Sequence, residues 1–521
     1  MKQWEGERPE NKCYPKLKHS GPVHFYVLFA RKIKNFKLSD ITFKLKLMKT
    51  KFLILSAFIC LFLFSQAEIK LSNVLTDNMV LQRNSEVKIW GKASAGQMLT
   101  IQTSWNKIKS KTTADKNGNW VAKVTTTEAG GPYSLTVVSG KEKVTLSNIL
   151  LGEVWLCSGQ SNMDMPIRGY ADQPIYGAND MLVEADNDNI RLFTVNYLTS
   201  EMPVDTLRGK YGKWKVATAE SVSEFSATAY LYAKQLQQKL KVPVGVITSA
   251  WGGSPVEAWM SKETIASFTD ALKQSTDPKL AKQYRATFLY NGMISPLLNY
   301  KIKGAIWYQG EANVRNAYDY AELLAAMVKN WRTDFAQGDF PFYFVEIAPY
   351  FYNDSKAPNS ALLREAQLKA QSLIPNSGMA STIDVGEEKC IHPGEKLTAA
   401  KRLAYWALSQ TYGIKGINCK SPTYKSMSVK DTVAIIEFDN VLNGLFTYGK
   451  TVDCFEVAGE DKVFYPAKMW TNRKNQVLVN APEVKVPVAV RYGFSNFPTT
   501  QGYLYNTAGL PVPSFRTEIT K

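Results

Sequence analysis

Two hydrophobic rhythms alternate along the chain. Between residues 68 and 150 apolar and polar positions alternate with period two in short runs, Glu86 to Trp90, Met98 to Gln102, Trp120 to Val124 and Tyr133 to Val138. Asn117-Gly118 and Gly130-Gly131 punctuate them, and this combination predicts a small antiparallel sandwich. From 151 to 418 continuous apolar runs alternate with helical periodicity. Helices are expected over Ser223 to Leu240, Ala317 to Phe335, Ala361 to Leu373 and Glu395 to about Thr411, with strands over Val242 to Ser249, Phe340 to Pro349 and Met379 to Asp384. Such alternation predicts a parallel sheet with helices on both faces, whose functional residues gather beyond the carboxyl ends of the strands. The β rhythm returns over 419 to 521, in Val433 to Phe438, Gln476 to Val479 and Val486 to Tyr492, and predicts a second sandwich-like domain.

The start of the chain follows neither rhythm. Met48-Lys49-Thr50-Lys51 precedes an apolar run from Phe52 to Phe64 and then Ser65-Gln66-Ala67. A basic start, a short apolar middle and a small-x-small site make residues 48 to 67 a signal peptide, too short an apolar run for an ordinary membrane span. Residues 1 to 47 read as an upstream extension, and the mature protein as periplasmic or secreted with no membrane association after cleavage. Composition then reads differently. The 521 residues carry a net charge of +17, but the first 67 hold 13 Lys/Arg against 4 Asp/Glu, so the mature part falls to +8. Without a dense basic cluster, that surplus argues against a nucleic-acid partner.

Histidine usage narrows the chemistry. Of three histidines, His19 and His24 lie upstream of the cleavage site, so His392 is the only one in the mature chain. A single histidine excludes a multi-histidine zinc site, and no Cys-x-x-Cys pair is present. His392 follows the strand ending near Asp384, where a parallel sheet places its catalytic side chains. A partner for such a base lies in the run Leu151 to Ser158, which turns through Gly159-Gln160-Ser161-Asn162. A serine on a tight turn after a strand suits a nucleophile whose own N–H faces an oxyanion, and equally suits a helix N-cap. Two more strand ends carry polar glycine turns, Trp251-Gly252-Gly253 and Gln309-Gly310-Glu311. Gln309 has a side-chain N–H to give an oxyanion, and Glu311 a carboxylate to order loops. Of the four mature cysteines, Cys157 and Cys390 flank the serine and histidine segments and are read as buried thiols first and as disulfide partners second.

These blocks, Gly159 to Asn162, Trp251 to Gly253, Trp307 to Glu311 and Ile391-His392-Pro393, in this order resemble those of SGNH hydrolases. Within them the chain resembles the sialate O-acetylesterases, with acetylxylan esterases as relatives. The resemblance extends through Asn291 to Pro296, Leu363 to Gln367 and Ala508 to Pro511. It implies a three-layer α/β/α hydrolase domain flanked by N- and C-terminal β-sandwich-like domains, and an enzyme without cofactor acting on acetylated sialic acid. It also implies Ser161 as nucleophile, His392 as base, and the N–H groups of Ser161 and Gly253 with the Gln309 side chain as oxyanion donors. Many members carry an aspartate two or three residues before the histidine, where this chain has Cys390 and Lys389. The third triad member is thus open among Asp384, Glu387 and a backbone carbonyl. Substrate contacts are expected from Asn162, Glu311 and Arg364; Arg364 suits a sugar carboxylate or a helix-face ion pair equally. An acetylated xylan is the alternative substrate, and a non-catalytic glycan-binding protein the alternative class.

Overall fold

Strands that must bury both faces dictate the centre of this molecule. The computed structural model describes residues 42–51, 68–207 and 212–518. Contacts divide the chain after Gln66; of the preceding unit only an exposed helix over 42–51 is described, and most of the expected signal segment lies outside the described residues. In the second unit the central strands are β1 (Glu142–Gly159), β2 (Asn187–Thr194), β3 (Lys215–Ala217), β4 (Val244–Ala250), β5 (Gly304–Tyr308), β6 (Phe342–Val345) and β7 (Ser377–Ala380). They lie in the order β3-β2-β4-β1-β5-β6-β7, all parallel except the edge strand β3. Every residue of β4, β5 and β6 is buried, as expected of parallel strands covered on both sides.

Successive side chains of one strand feed two different cores. Leu156 and Trp307 pack with helices α3 (Tyr320–Phe335) and α4 (Asn359–Leu373) on one face, whereas Trp155, Ile306 and Tyr308 pack with α2 (Ala227–Leu240) and α5 (Lys396–Trp406) on the other. This is the three-layer α/β/α arrangement. The helix ends have local causes. The run expected from Ser223 begins instead at Ala227, because the Ser226 hydroxyl accepts from the Ala229 N–H and caps it. The strand expected over Met379 to Asp384 stops at Ala380, after which Ser381 and Thr382 bond to Glu346.

β-rich layers flank this sheet on the N- and C-terminal sides. On the N-terminal side Glu86–Lys92 pairs with Asn119–Thr125, and Met98–Thr103 pairs with Gly130–Ser139. On the C-terminal side two four-stranded sheets enclose their own core around Phe455, Val490 and Phe515. The strand expected over Val486 to Tyr492 is confined to Ala489–Tyr492, since Pro487 has no ladder N–H to give. The boundary expected near residue 150 falls inside β1. Its first half alternates exposed and buried while pairing antiparallel with Gly130–Ser139, and its second half, buried throughout, pairs with β4 and β5. Among the described residues no helix is long and apolar enough to cross a membrane.

Candidate active site

Beyond the carboxyl end of β1 the chain must turn sharply without touching β5. Gly159 allows this: its φ is 141°, and a Cβ there would lie 2.1 Å from the Tyr308 carbonyl oxygen. Gln160 follows, and Ser161 opens the one-turn helix α1 (Ser161–Asp164). The first N–H groups of a helix lack internal partners, and the Ser161 N–H has no acceptor among the described residues. Beyond β4, the loop Trp251-Gly252-Gly253 closes on the same point: a Cβ on Gly252 would stand 3.5 Å from the Ser161 Cβ. The Gly253 N–H is likewise without an acceptor among the described residues.

The histidine arrives from beyond β7. His392 Nε2 lies 2.7 Å from Ser161 Oγ, and its Nδ1 lies 2.6 Å from the side-chain oxygen of Gln173. An amide oxygen accepts only, so the proton sits on Nδ1 and the Nε2 lone pair faces the serine hydroxyl. Burial, followed by the positive charge of Lys396, pulls the imidazole down to about 4. It is therefore a neutral acceptor across the physiological range.

The orienting group is an amide, which corrects the expectation of Asp384 or Glu387. Asp384 forms a two-pronged ion pair with Arg402, at 2.6 and 2.8 Å, and accepts from the Tyr505 hydroxyl. Glu387 accepts from the Gly394 N–H at 2.8 Å. Both carboxylates brace the loop that carries His392, and neither touches its ring.

Other expected contacts are also reassigned. Gln309 is fully buried and spends its side-chain N–H groups on the Ser254 carbonyl and Asn313 Oδ1, while its oxygen accepts from Tyr320. That leaves the backbone N–H groups of Ser161 and Gly253 as the expected donors still without an acceptor among the described residues. Asn162 and Glu311 lie beneath the site: Asn162 gives its Nδ2 hydrogens to Glu311 Oε1 and to the Ile391 carbonyl, and accepts from Lys396 at 2.7 Å. Asn162 thus clamps the serine turn to the histidine loop. Burial raises Glu311 and lowers Lys396 to about 7, each opposing a charge the other supports. Arg364 is fully buried away from the serine and bonds to Ser360, Ser514 and the carbonyls of Gly493 and Ser495. It holds the C-terminal segment to α4 and cannot meet a sugar carboxylate.

Sequence reasoning missed Gln173. It lies in the irregular stretch before Pro174, 219 residues from His392, with no spacing or composition to distinguish it. It carries a prediction. Gln173→Glu places a carboxylate beside Nδ1, which raises the imidazole pKa by about 1–3 units. Because the base works only when neutral, the acid limb of kcat/KM, expected near 4, moves to higher pH and activity at pH 5 falls relative to pH 8. A pH profile with 4-nitrophenyl acetate checks this, and an unmoved limb would separate Gln173 from the imidazole.

Comparisons with known proteins converge on one family. Residues 151–404 match the family model described as carbohydrate esterase, sialic acid-specific acetylesterase. The human sialate O-acetylesterase is 27% identical over 500 residues, covering 87% of this chain and 93% of that protein. The rat sialate O-acetylesterase is 27% identical over 517 residues, covering 87% and 94%. A crystal structure of a carbohydrate acetylesterase from Xanthomonas citri superposes with a TM-score of 0.79 at 34% identity, covering 87% of this chain and 100% of that one.

Proposed function

Because this chain belongs to the sialic acid-specific acetylesterase family of carbohydrate esterases and is a carboxylic ester hydrolase, we propose that Ser161 and His392 carry an acyl-enzyme mechanism releasing acetate from an O-acetylated sugar. The observation that supports it most is the 2.7 Å contact between Ser161 Oγ and His392 Nε2, with Nδ1 fixed from behind. His392 takes the hydroxyl proton as Ser161 Oγ bonds to the acetyl carbonyl carbon. Negative charge moves to the carbonyl oxygen, which the N–H groups of Ser161 and Gly253 receive. The tetrahedral adduct collapses, the sugar oxygen leaves with the proton from the imidazolium, and an acetyl-serine remains. Water, deprotonated by His392, then repeats the attack; acetate departs and the serine recovers its proton.

The substrate read first is an acetylated sialic acid, the sugar for which the human and rat sialate O-acetylesterases are named. The Xanthomonas relative, a carbohydrate acetylesterase, keeps acetylated xylan or another acetylated carbohydrate as the second reading. We further propose export, on the basic, apolar and small-residue sequence of positions 48 to 67, and domains at 68–150, 151–418 and 419–521, the first two of which share strand β1. A fluorophosphonate probe tests the nucleophile. Labelling of one serine per chain, mapped by mass spectrometry to the peptide containing Ser161, is expected together with loss of acetate release. Full inhibition by a label elsewhere would refute the assignment.

A further inference from the structure

A closed ring of contacts runs through the candidate site, and four of its side chains, Tyr170, Asp164, Tyr197 and Trp251, have no task in the chemistry above. Starting from Ser161, the ring passes to His392 and on to Tyr170, whose ring packs edge-on against the imidazole at 5.4 Å. The Tyr170 hydroxyl reaches both the Ser161 carbonyl, at 3.4 Å, and Asp164 Oδ2, at 3.5 Å. Asp164 Oδ2 also accepts from the Tyr197 hydroxyl at 2.5 Å. Tyr197 stacks on Trp251, with ring centroids 4.6 Å apart, and Trp251 leads into Gly252, which abuts Ser161. The circle closes around a carboxylate one helical turn from the nucleophile. Residues three apart on a helix share a face, with Cβ atoms about 5–6 Å apart.

Asp164 is half-buried, and the two phenols hold only one of its oxygens; Oδ1 has no partner among the described residues. Among the described residues no ion pair reaches the carboxylate either: Arg168, on the stretch that follows α1, is committed to Glu224 at 2.9 Å. Tyr197 stays 56% exposed despite its bond to Asp164, so its ring belongs to the rim and not to the core. A half-sheltered carboxylate with one free oxygen, set beside stacked aromatic faces, has the composition of a polyol-binding subsite. The aromatic faces cover C–H surfaces and the carboxylate receives a hydroxyl.

We propose that Asp164 reads a free hydroxyl of the substrate, one neighbouring the acetylated oxygen, so that the enzyme favours partially acetylated sugars over esters lacking such a hydroxyl. This deepens the esterase reading and rests on it. The ester must place its carbonyl carbon on Ser161 Oγ, and Asp164, three residues along the same one-turn helix, is the carboxylate that α1 sets beside that point. Burial, opposed by the two phenol donors, raises the carboxyl to about 6, so at neutral pH it is an anionic acceptor, the stronger kind.

The test compares three esters: a mono-O-acetyl methyl glycoside, the same ester with its neighbouring hydroxyls O-methylated, and 4-nitrophenyl acetate. A hydrogen bond to a charged group corresponds to roughly 10- to 100-fold in kcat/KM. Wild type is expected to favour the free-hydroxyl glycoside over its O-methylated partner by that factor, mostly through KM. Asp164→Ala brings the ratio near one, and the isosteric Asp164→Asn, which keeps a weaker acceptor and the shape of the turn, falls between them. Equal kcat/KM for the two glycosides in wild type, or a preference surviving in Asp164→Ala, overturns the proposal. A wild type that hydrolyses 4-nitrophenyl acetate but shows no preference refutes the Asp164 role alone, whereas one inactive on all three esters refutes the esterase reading with it.

Discussion

Ser161→Ala is expected to lower acetate release by a factor on the order of 10⁴ or more, and His392→Ala by a similar factor. In the proposed mechanism the two side chains perform one act. Without the hydroxyl no acyl-enzyme forms, and without the imidazole the hydroxyl loses the acceptor that stands 2.7 Å from it; Asp384 and Glu387, the carboxylates of the histidine loop, are held by Arg402 and the Gly394 N–H. The double variant should therefore be scarcely slower than either single one, because residues acting as a unit are grossly non-additive. What remains is hydrolysis by bound water near the backbone N–H groups of Ser161 and Gly253. Ser161 is only partly buried and opens a one-turn helix, so its removal leaves the packed sheet untouched and the urea midpoint should stay at the wild-type value. Steady-state assays on an acetylated sugar, with circular dichroism as the folding control, decide the matter. Either single variant retaining a tenth of wild-type turnover would remove that residue from the mechanism.

How this pair came to be legible, and its orienter not, follows from where each sits. Ser161 lies just past the buried half of β1, whose residues 149 to 157 are mostly apolar as befits a strand covered on both faces, and His392 lies on the loop beyond β7. His392 was further isolated by being the only histidine downstream of residue 67. Gln173 has no such marker. Its role arises when two loops 219 residues apart meet, and nothing local encodes that meeting. Asp384 was a natural candidate by proximity in sequence, but proximity does not fix direction. The strand ends four residues earlier, and the carboxylate turns to Arg402 on α5 and Tyr505 from the C-terminal side. The change of rhythm at residue 150 had a similar ambiguity. Alternation gives way to continuous apolarity because β1 exchanges antiparallel neighbours for parallel ones within a single strand. The same texture change at a linker would have divided two independent sheets.

Arg364→Ala is expected to cost about 3–5 kcal/mol of stability, the range for removing one partner from a buried charge network. Four hydrogen bonds from one guanidinium reach Ser360 on its own helix and Gly493, Ser495 and Ser514 in the C-terminal segment, all in a region closed to water. Alanine leaves two carbonyls and two hydroxyls short of a donor, and buried polar groups without partners pay their full desolvation. It also removes the positive charge that holds down Glu346, a fully buried carboxyl already raised to about 7 by desolvation. Without that charge Glu346 moves further up and folds in its neutral form. Arg364→Lys keeps the charge but lacks the planar fork that serves several acceptors at once, so it should recover only part of the loss. Urea unfolding read against esterase kinetics separates this role from recognition of a sugar carboxylate. The structural role predicts a lowered midpoint in Arg364→Ala with KM unchanged for the protein that remains folded. A KM raised tenfold on an acetylated sialic acid, with the midpoint unmoved, would return Arg364 to the substrate.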